Sequence, residues 1–90
     1  MTREQWAEGV IRKQPVFDSK DKAIQAALQA NRKGDVKEVF QEPANRGGRY
    51  LVAAPEAFEA LLDMKYKRVA DACMLADIER GDHIDEVEEA

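Results

Sequence analysis

The chain is 90 residues long, 44% hydrophobic and 36% charged, with a formal net charge of −4. That length suits one domain with a modest core, and the composition is neither that of a disordered chain nor that of a membrane protein, since no apolar run approaches the roughly 20 residues of a spanning helix. A single cysteine, Cys73, cannot form an internal disulfide, and the N-terminus lacks the basic-then-apolar pattern of a secretion signal, so the expected location is the cytoplasm.

Thr2 and Gln5 have capping-box spacing and open a first helix, with Trp6, Val10 and Ile11 on one face. Gln14 ahead of Pro15 closes it. Val16-Phe17 reads as a very short strand or as an anchor into the core. Asp18 or Ser19 then caps a second helix over residues 19–33, whose apolar face is Ile24, Ala27 and Leu28 and whose stop is Gly34. Val36 to Gln41 and Arg49 to Ala53 read as an antiparallel hairpin across the turn Asn45-Arg46-Gly47-Gly48. Pro55, followed by Glu56 and Glu59, starts a further helix. Phe58, Leu61, Leu62, Val69, Ala72, Cys73 and Ala76 continue an apolar stripe along it, with Leu75 and Ile78 beside them, as far as Arg80-Gly81.

The predicted class is α+β: a small antiparallel hairpin packed by helices, then a long C-terminal helix and an acidic tail. Residues 1–64 are expected to form an α/β dimerisation and DNA-binding portion, and residues 65–90 a helical, acidic partner-binding segment. A hairpin with one wet face and one helix-covered face points to homodimerisation.

No catalytic constellation is present. The one histidine, His83, lies in the acidic tail, and one Cys with one His does not make a zinc site. Cys73 on the apolar stripe reads as a buried small hydrophobe. Gly47-Gly48 is a turn and carries neither glycine-rich phosphate motif. No enzyme activity and no cofactor are expected.

Charge is uneven along the chain. Residues 1–54 hold ten Lys/Arg against seven Asp/Glu (+3), and residues 55–90 hold four against eleven (−7). Arg12, Lys13, Lys20, Lys22, Arg32 and Lys33 are candidates for phosphate contacts to DNA, or else a solvated surface. Val69, Ala72, Cys73, Ala76 and Ile78 extend past what a small core uses, and are candidates for packing on a protein partner, on a second copy, or back on the chain itself. Ile84 and Val87, set among Asp85 and Glu86, read as anchors of an acidic segment that orders on a basic surface.

Residues 43–64, with the run Phe58-Glu59-Ala60-Leu61-Leu62 after the hairpin, resemble the hairpin and helix start of Phd/YefM-type antitoxins. Residues 70–85, with Leu75-Ala76-Asp77-Ile78-Glu79-Arg80-Gly81, are similar to antitoxin tails. Two features differ: that family starts with a strand where Thr2 to Lys13 reads as helix, and its basic turn has Arg46-Gly47-Gly48-Arg49 as the nearest equivalent. The resemblance implies a dimeric N-terminal portion that represses its own operon, and a C-terminal segment that wraps and neutralises a toxin, often a ribonuclease or a nucleotide-modifying enzyme. Two other readings stay open. One is an acidic phage-type inhibitor, anti-CRISPR-like, whose carboxylates mimic phosphates in the basic groove of a nucleic-acid enzyme or defence complex. The other is a small structural protein that only dimerises.

Overall fold

A computed structural model describes residues 1–81. The elements run α1 (Arg3–Arg12), β1 (Val16–Phe17), α2 (Lys20–Arg32), β2 (Glu38–Gln41), β3 (Tyr50–Ala53), α3 (Phe58–Asp63), β4 (Lys67–Ala70) and α4 (Ala72–Arg80), with single turns of 3-10 helix at Ala44–Arg46 and Pro55–Ala57. The class is α+β: four helices packed on one antiparallel sheet of order β1-β3-β2-β4.

The helix starts follow their caps. Thr2 Oγ1 accepts from the Gln5 N–H at 3.1 Å while the Thr2 N–H donates to Gln5 Oε1 at 3.0 Å, so the capping box closes from both sides. Ser19 caps α2, its Oγ accepting from the Lys22 N–H at 3.1 Å. Asp71 caps α4, its Oδ1 accepting from the Met74 N–H at 2.8 Å.

The hairpin pairs Val39 with Val52 and Phe40 with Leu51. Alternation along the strands sends Phe40, Leu51 and Ala53 to one face, where α1 and α3 cover them with Ala7, Ile11, Ala60, Leu61 and the adjoining Tyr66. Val39 and Val52 face the other way, into Ala23, Ala27 and Leu28 of α2 and Leu75 of α4. The molecule is therefore three layers, helices on both sides of the sheet. The expected wet face does not exist, and the inference of a dimer drawn from it loses its ground. This also explains the imperfect alternation of Val36 to Gln41: Val39 and Phe40 are adjacent in sequence and both 0% exposed, because each has its own core.

The long C-terminal helix is overturned. α3 ends after six residues in a Schellman motif, with the Tyr66 N–H donating to the Leu61 carbonyl at 2.9 Å and the Lys65 N–H to the Leu62 carbonyl at 3.1 Å. Lys65 takes the left-handed position, φ 70°, that glycine usually fills. The chain then turns extended, and β4 pairs antiparallel with β2 through Gln41 with Lys67, Phe40 with Arg68 and Val39 with Ala70. The apolar stripe from Leu62 to Ala76 is not one helix face. Leu62 is 49% exposed, and the β2–β4 register shifts between Val39 and Phe40, so Tyr66 is buried in the α1/α3 core and Ala70 in the α2/α4 core, while Lys67 and Arg68 stay exposed. Exposed Lys67 and Arg68 lie on the sheet edge, where charge discourages further strand pairing.

Candidate functional site: an apolar groove and a polar cleft

α4 reaches the sheet through Leu75 and reaches α2 through an ion pair, the Arg32 Nε donating to Glu79 Oε2 at 2.7 Å. Between the two helices runs a groove of about 400 Å³, lined by Leu28, Val36, Ala72, Leu75 and Ala76, with Arg32, Glu79 and Arg80 supplying charge. Asp71 fixes the phase of this face. With the helix starting at Ala72, positions 72, 75, 76 and 79 share one side of it. Val36 stands 53% exposed at this groove.

The expected partner-binding stripe divides into groups. Ala72 and Ala76 line the groove. Val69 and Ile78 are partly buried and pack on the α2/α4 core, so they serve the fold. Cys73 is exposed, which corrects the reading of it as a buried hydrophobe. Leu75 takes the buried place instead, because β4 interrupts the helix and α4 begins a new phase at Ala72. Ile84, Asp85, Glu86 and Val87 lie outside the described residues, as does His83. Leu75 and Val36 were missed as groove residues. The Asp71 cap was the sequence signal that finds Leu75; Val36 sits in a loop and had none.

The six basic candidates are all exposed. Arg12 and Lys13 end α1 on one side of the sheet, whereas Lys20 and Lys22 begin, and Arg32 and Lys33 end, the helix α2 on the other. At 1.5 Å per residue the two ends of α2 stand about 18 Å apart. Lys22 lies 3.6 Å from Asp18, and Arg32 is committed to Glu79. The fold does not gather these cations into one patch.

A second concavity, about 320 Å³, opens where α1 meets the hairpin and Tyr66, with Glu8, Arg12, Glu42, Arg46, Arg49 and Tyr66 among its lining. Glu42 is buried and is held by Arg49 in a two-point pair, Nε to Oε1 at 2.9 Å and Nη2 to Oε2 at 3.0 Å, with the Arg49 N–H adding a third bond at 3.1 Å. The Arg49 guanidinium thereby holds the Glu42 carboxyl below its ordinary value. Arg46 pairs with Glu8 and lies over the Tyr66 ring, 5.8 Å from its centroid. Burial pushes the Tyr66 phenol up. The Arg46 Nη1 is shielded from solvent and has no acceptor.

The other buried carboxylate, Glu38, anchors α4. Its Oε2 accepts from the Ala72 N–H at 2.8 Å, and its Oε1 lies 2.9 Å from Arg68 Nε. Arg68 itself sits 5.2 and 5.3 Å from the Phe40 and Phe58 ring centroids. This cluster ties β2, β4, α3 and the start of α4 together and is structural.

Among the described residues no group of three His, Cys, Asp or Glu is placed to hold a metal ion, and no helix is long and apolar enough to cross a membrane. No protein-family model matches this chain, and neither a curated protein nor a solved structure matches it.

Proposed function

We propose that this chain is a non-catalytic protein-binding inhibitor that works in the antitoxin manner, neutralising a basic protein partner through its C-terminal face. The observation that carries the reading is the α2–α4 groove: an open apolar channel lined by Leu28, Val36, Ala72, Leu75 and Ala76, next to the point at which the acidic end of the chain departs from Gly81. A partner segment with apolar residues facing the groove and cations beside it matches both features at once. The resemblance of residues 43–64 and 70–85 to Phd/YefM-type antitoxins agrees in mode of action. Repression of its own operon belongs to that reading, but the scattered basic residues give it less support than the groove gives protein binding. The acidic inhibitor of a nucleic-acid enzyme or defence complex shares the same surface and differs in the partner.

The test is affinity capture of tagged protein from lysate of its source, run in parallel with Ala76→Arg, which fills the groove at an exposed position. One basic protein in near-stoichiometric yield, lost from the variant, is the expected result. A partner retained in full by Ala76→Arg refutes the groove, and recovery of the chain alone refutes the inhibitor. The captured protein separates the two partners: a small toxin for one, a large nuclease or surveillance complex for the other. A gel shift with DNA upstream of the gene decides the repressor function by itself.

A further inference from the structure

The polar cleft at α1 has a composition that the partner-binding reading does not use. Three guanidiniums reach it from three separate places: Arg12 from the last turn of α1, Arg46 from the helical turn of the hairpin loop, and Arg49 from the end of that loop. Two carboxylates face them, Glu8 and Glu42, so the cluster carries one net positive charge. Each carboxylate takes only part of its arginine. Arg49 gives Nε and Nη2 to Glu42, and Arg46 gives Nη2 to Glu8, while the Arg46 Nη1 stays dry and without an acceptor. Arg12 is exposed and makes no ion pair among the described residues. The Arg46 Nη1 is closed to solvent, so Arg46 offers a ligand in the cleft its charge and not that nitrogen.

We propose that this cleft is a binding site for a phosphate oxyanion, held by Arg12 and the unused edge of Arg49, with Arg46 adding its charge. The shape of the donor set selects the ligand. A planar carboxylate is matched by one guanidinium fork, as Glu42 already is by Arg49. Guanidiniums brought to one cleft from the end of α1 and from two places in the hairpin loop suit a tetrahedral group, which presents oxygens in more than one direction. The cleft volume of about 320 Å³ exceeds a lone phosphate and leaves room for the group it esterifies. The site faces the α1 side of the sheet, away from the α2–α4 groove, so it is independent of the protein-binding reading.

The experiment is a titration of isotope-labelled full-length protein at constant ionic strength, following the Nε–Hε signals of Arg12, Arg46 and Arg49. The probes are inorganic phosphate, a nucleoside 5′-monophosphate and acetate. Saturable shifts of all three signals are expected with both phosphate probes. Tighter binding of the nucleotide assigns the site to a phosphate ester, and equal binding assigns it to the free anion. Arg12→Gln, at an exposed position with no partner to strand, is expected to weaken half-saturation about tenfold, the loss of one charge-assisted contact. Arg12→Lys keeps the charge without the fork and loses less. Lys67→Gln removes the same charge from the sheet edge and leaves the titration unchanged. Shifts that stay linear, acetate binding as tightly as phosphate, or Arg12→Gln binding like the parent would each overturn the proposal.

Discussion

Replacing Leu75 by alanine tests whether α4 belongs to the folded body or is merely an arm for a partner. Leu75 is 0% exposed and packs with Ala27, Leu28, Val39, Val52 and Ala70. A buried Leu→Ala change costs about 2.7–5 kcal/mol, depending on how far the site can collapse. Here the site borders an open groove, so neighbours and water can occupy the space, and the low end applies: about 3 kcal/mol. For a domain of this size that lowers Tm by roughly 12–24 °C. Urea unfolding followed by circular dichroism reads the loss directly as a lower midpoint with unchanged slope. Ile78→Ala, on the same helix but only partly buried, is expected to cost about half as much. A loss under about 1 kcal/mol for Leu75→Ala would refute the docking of α4 and return residues 72–80 to the role of a free arm.

Three further outcomes follow from single features. Arg49→Ala shifts acid unfolding: Glu42 has its pKa lowered in the folded state, so its stabilisation is complete above the ordinary carboxylate range and is lost as pH falls through the lower value. The Tm gap between parent and variant should therefore be widest near neutrality and close as the pH falls below the ordinary carboxylate range, and a gap constant with pH would contradict the buried pair. Lys65→Gly relieves the left-handed backbone at φ 70° and should raise stability by about 1 kcal/mol, whereas Lys65→Val should lower it; equal effects would mean that no Schellman turn separates α3 from β4. Cys73 should react stoichiometrically with a thiol reagent in native buffer, and protection until denaturant is added would show that α4 is turned the other way.

The N-terminal half was legible because its boundaries are written in side chains that act locally. Thr2 with Gln5, Ser19, Gly34 and Pro15 each place a cap or a stop, and the hairpin turn shows itself through Gly47 and Gly48, both at positive φ. The C-terminal half was misread where a local signal was missing. Lys65 does the work of glycine at the end of α3, so nothing in the sequence announced the break. The strand after it, Lys-Arg-Val-Ala, is four residues long, and its apolar positions also fit a helical period. Asp71 was the cue available for restarting the helix, and it places Ala72 and Ala76 at the groove and Leu75 beneath it. The polar cleft was invisible for a different reason. Arg12 was noticed as a charge, but Glu8, Glu42, Arg46 and Tyr66 meet only through tertiary packing, which no spacing along the chain encodes.

The acidity of the C-terminal half has a different meaning once its pairs are known. Glu59 and Asp63 are held by Arg3, Glu79 by Arg32, and Asp77 by Arg80. Much of the acid between residues 55 and 81 is thus spent inside the fold, tying α3 to α1 and α4 to α2. The charge left to attract a basic partner is concentrated in residues 82–90, which include Asp82, Asp85, Glu86, Glu88 and Glu89. Charge outside a contact acts mainly on encounter, whereas apolar contact in a groove acts mainly on residence. On the inhibitor reading, truncation after Gly81 should slow association and flatten its dependence on salt, while Ala76→Arg should speed dissociation and leave the salt dependence in place. Surface-bound kinetics with the captured partner at two ionic strengths separate the two effects. A truncation that accelerates dissociation without touching the association rate would place the apolar residues Ile84 and Val87 at the contact itself, and would shift the energetic centre of binding from the groove to the end of the chain.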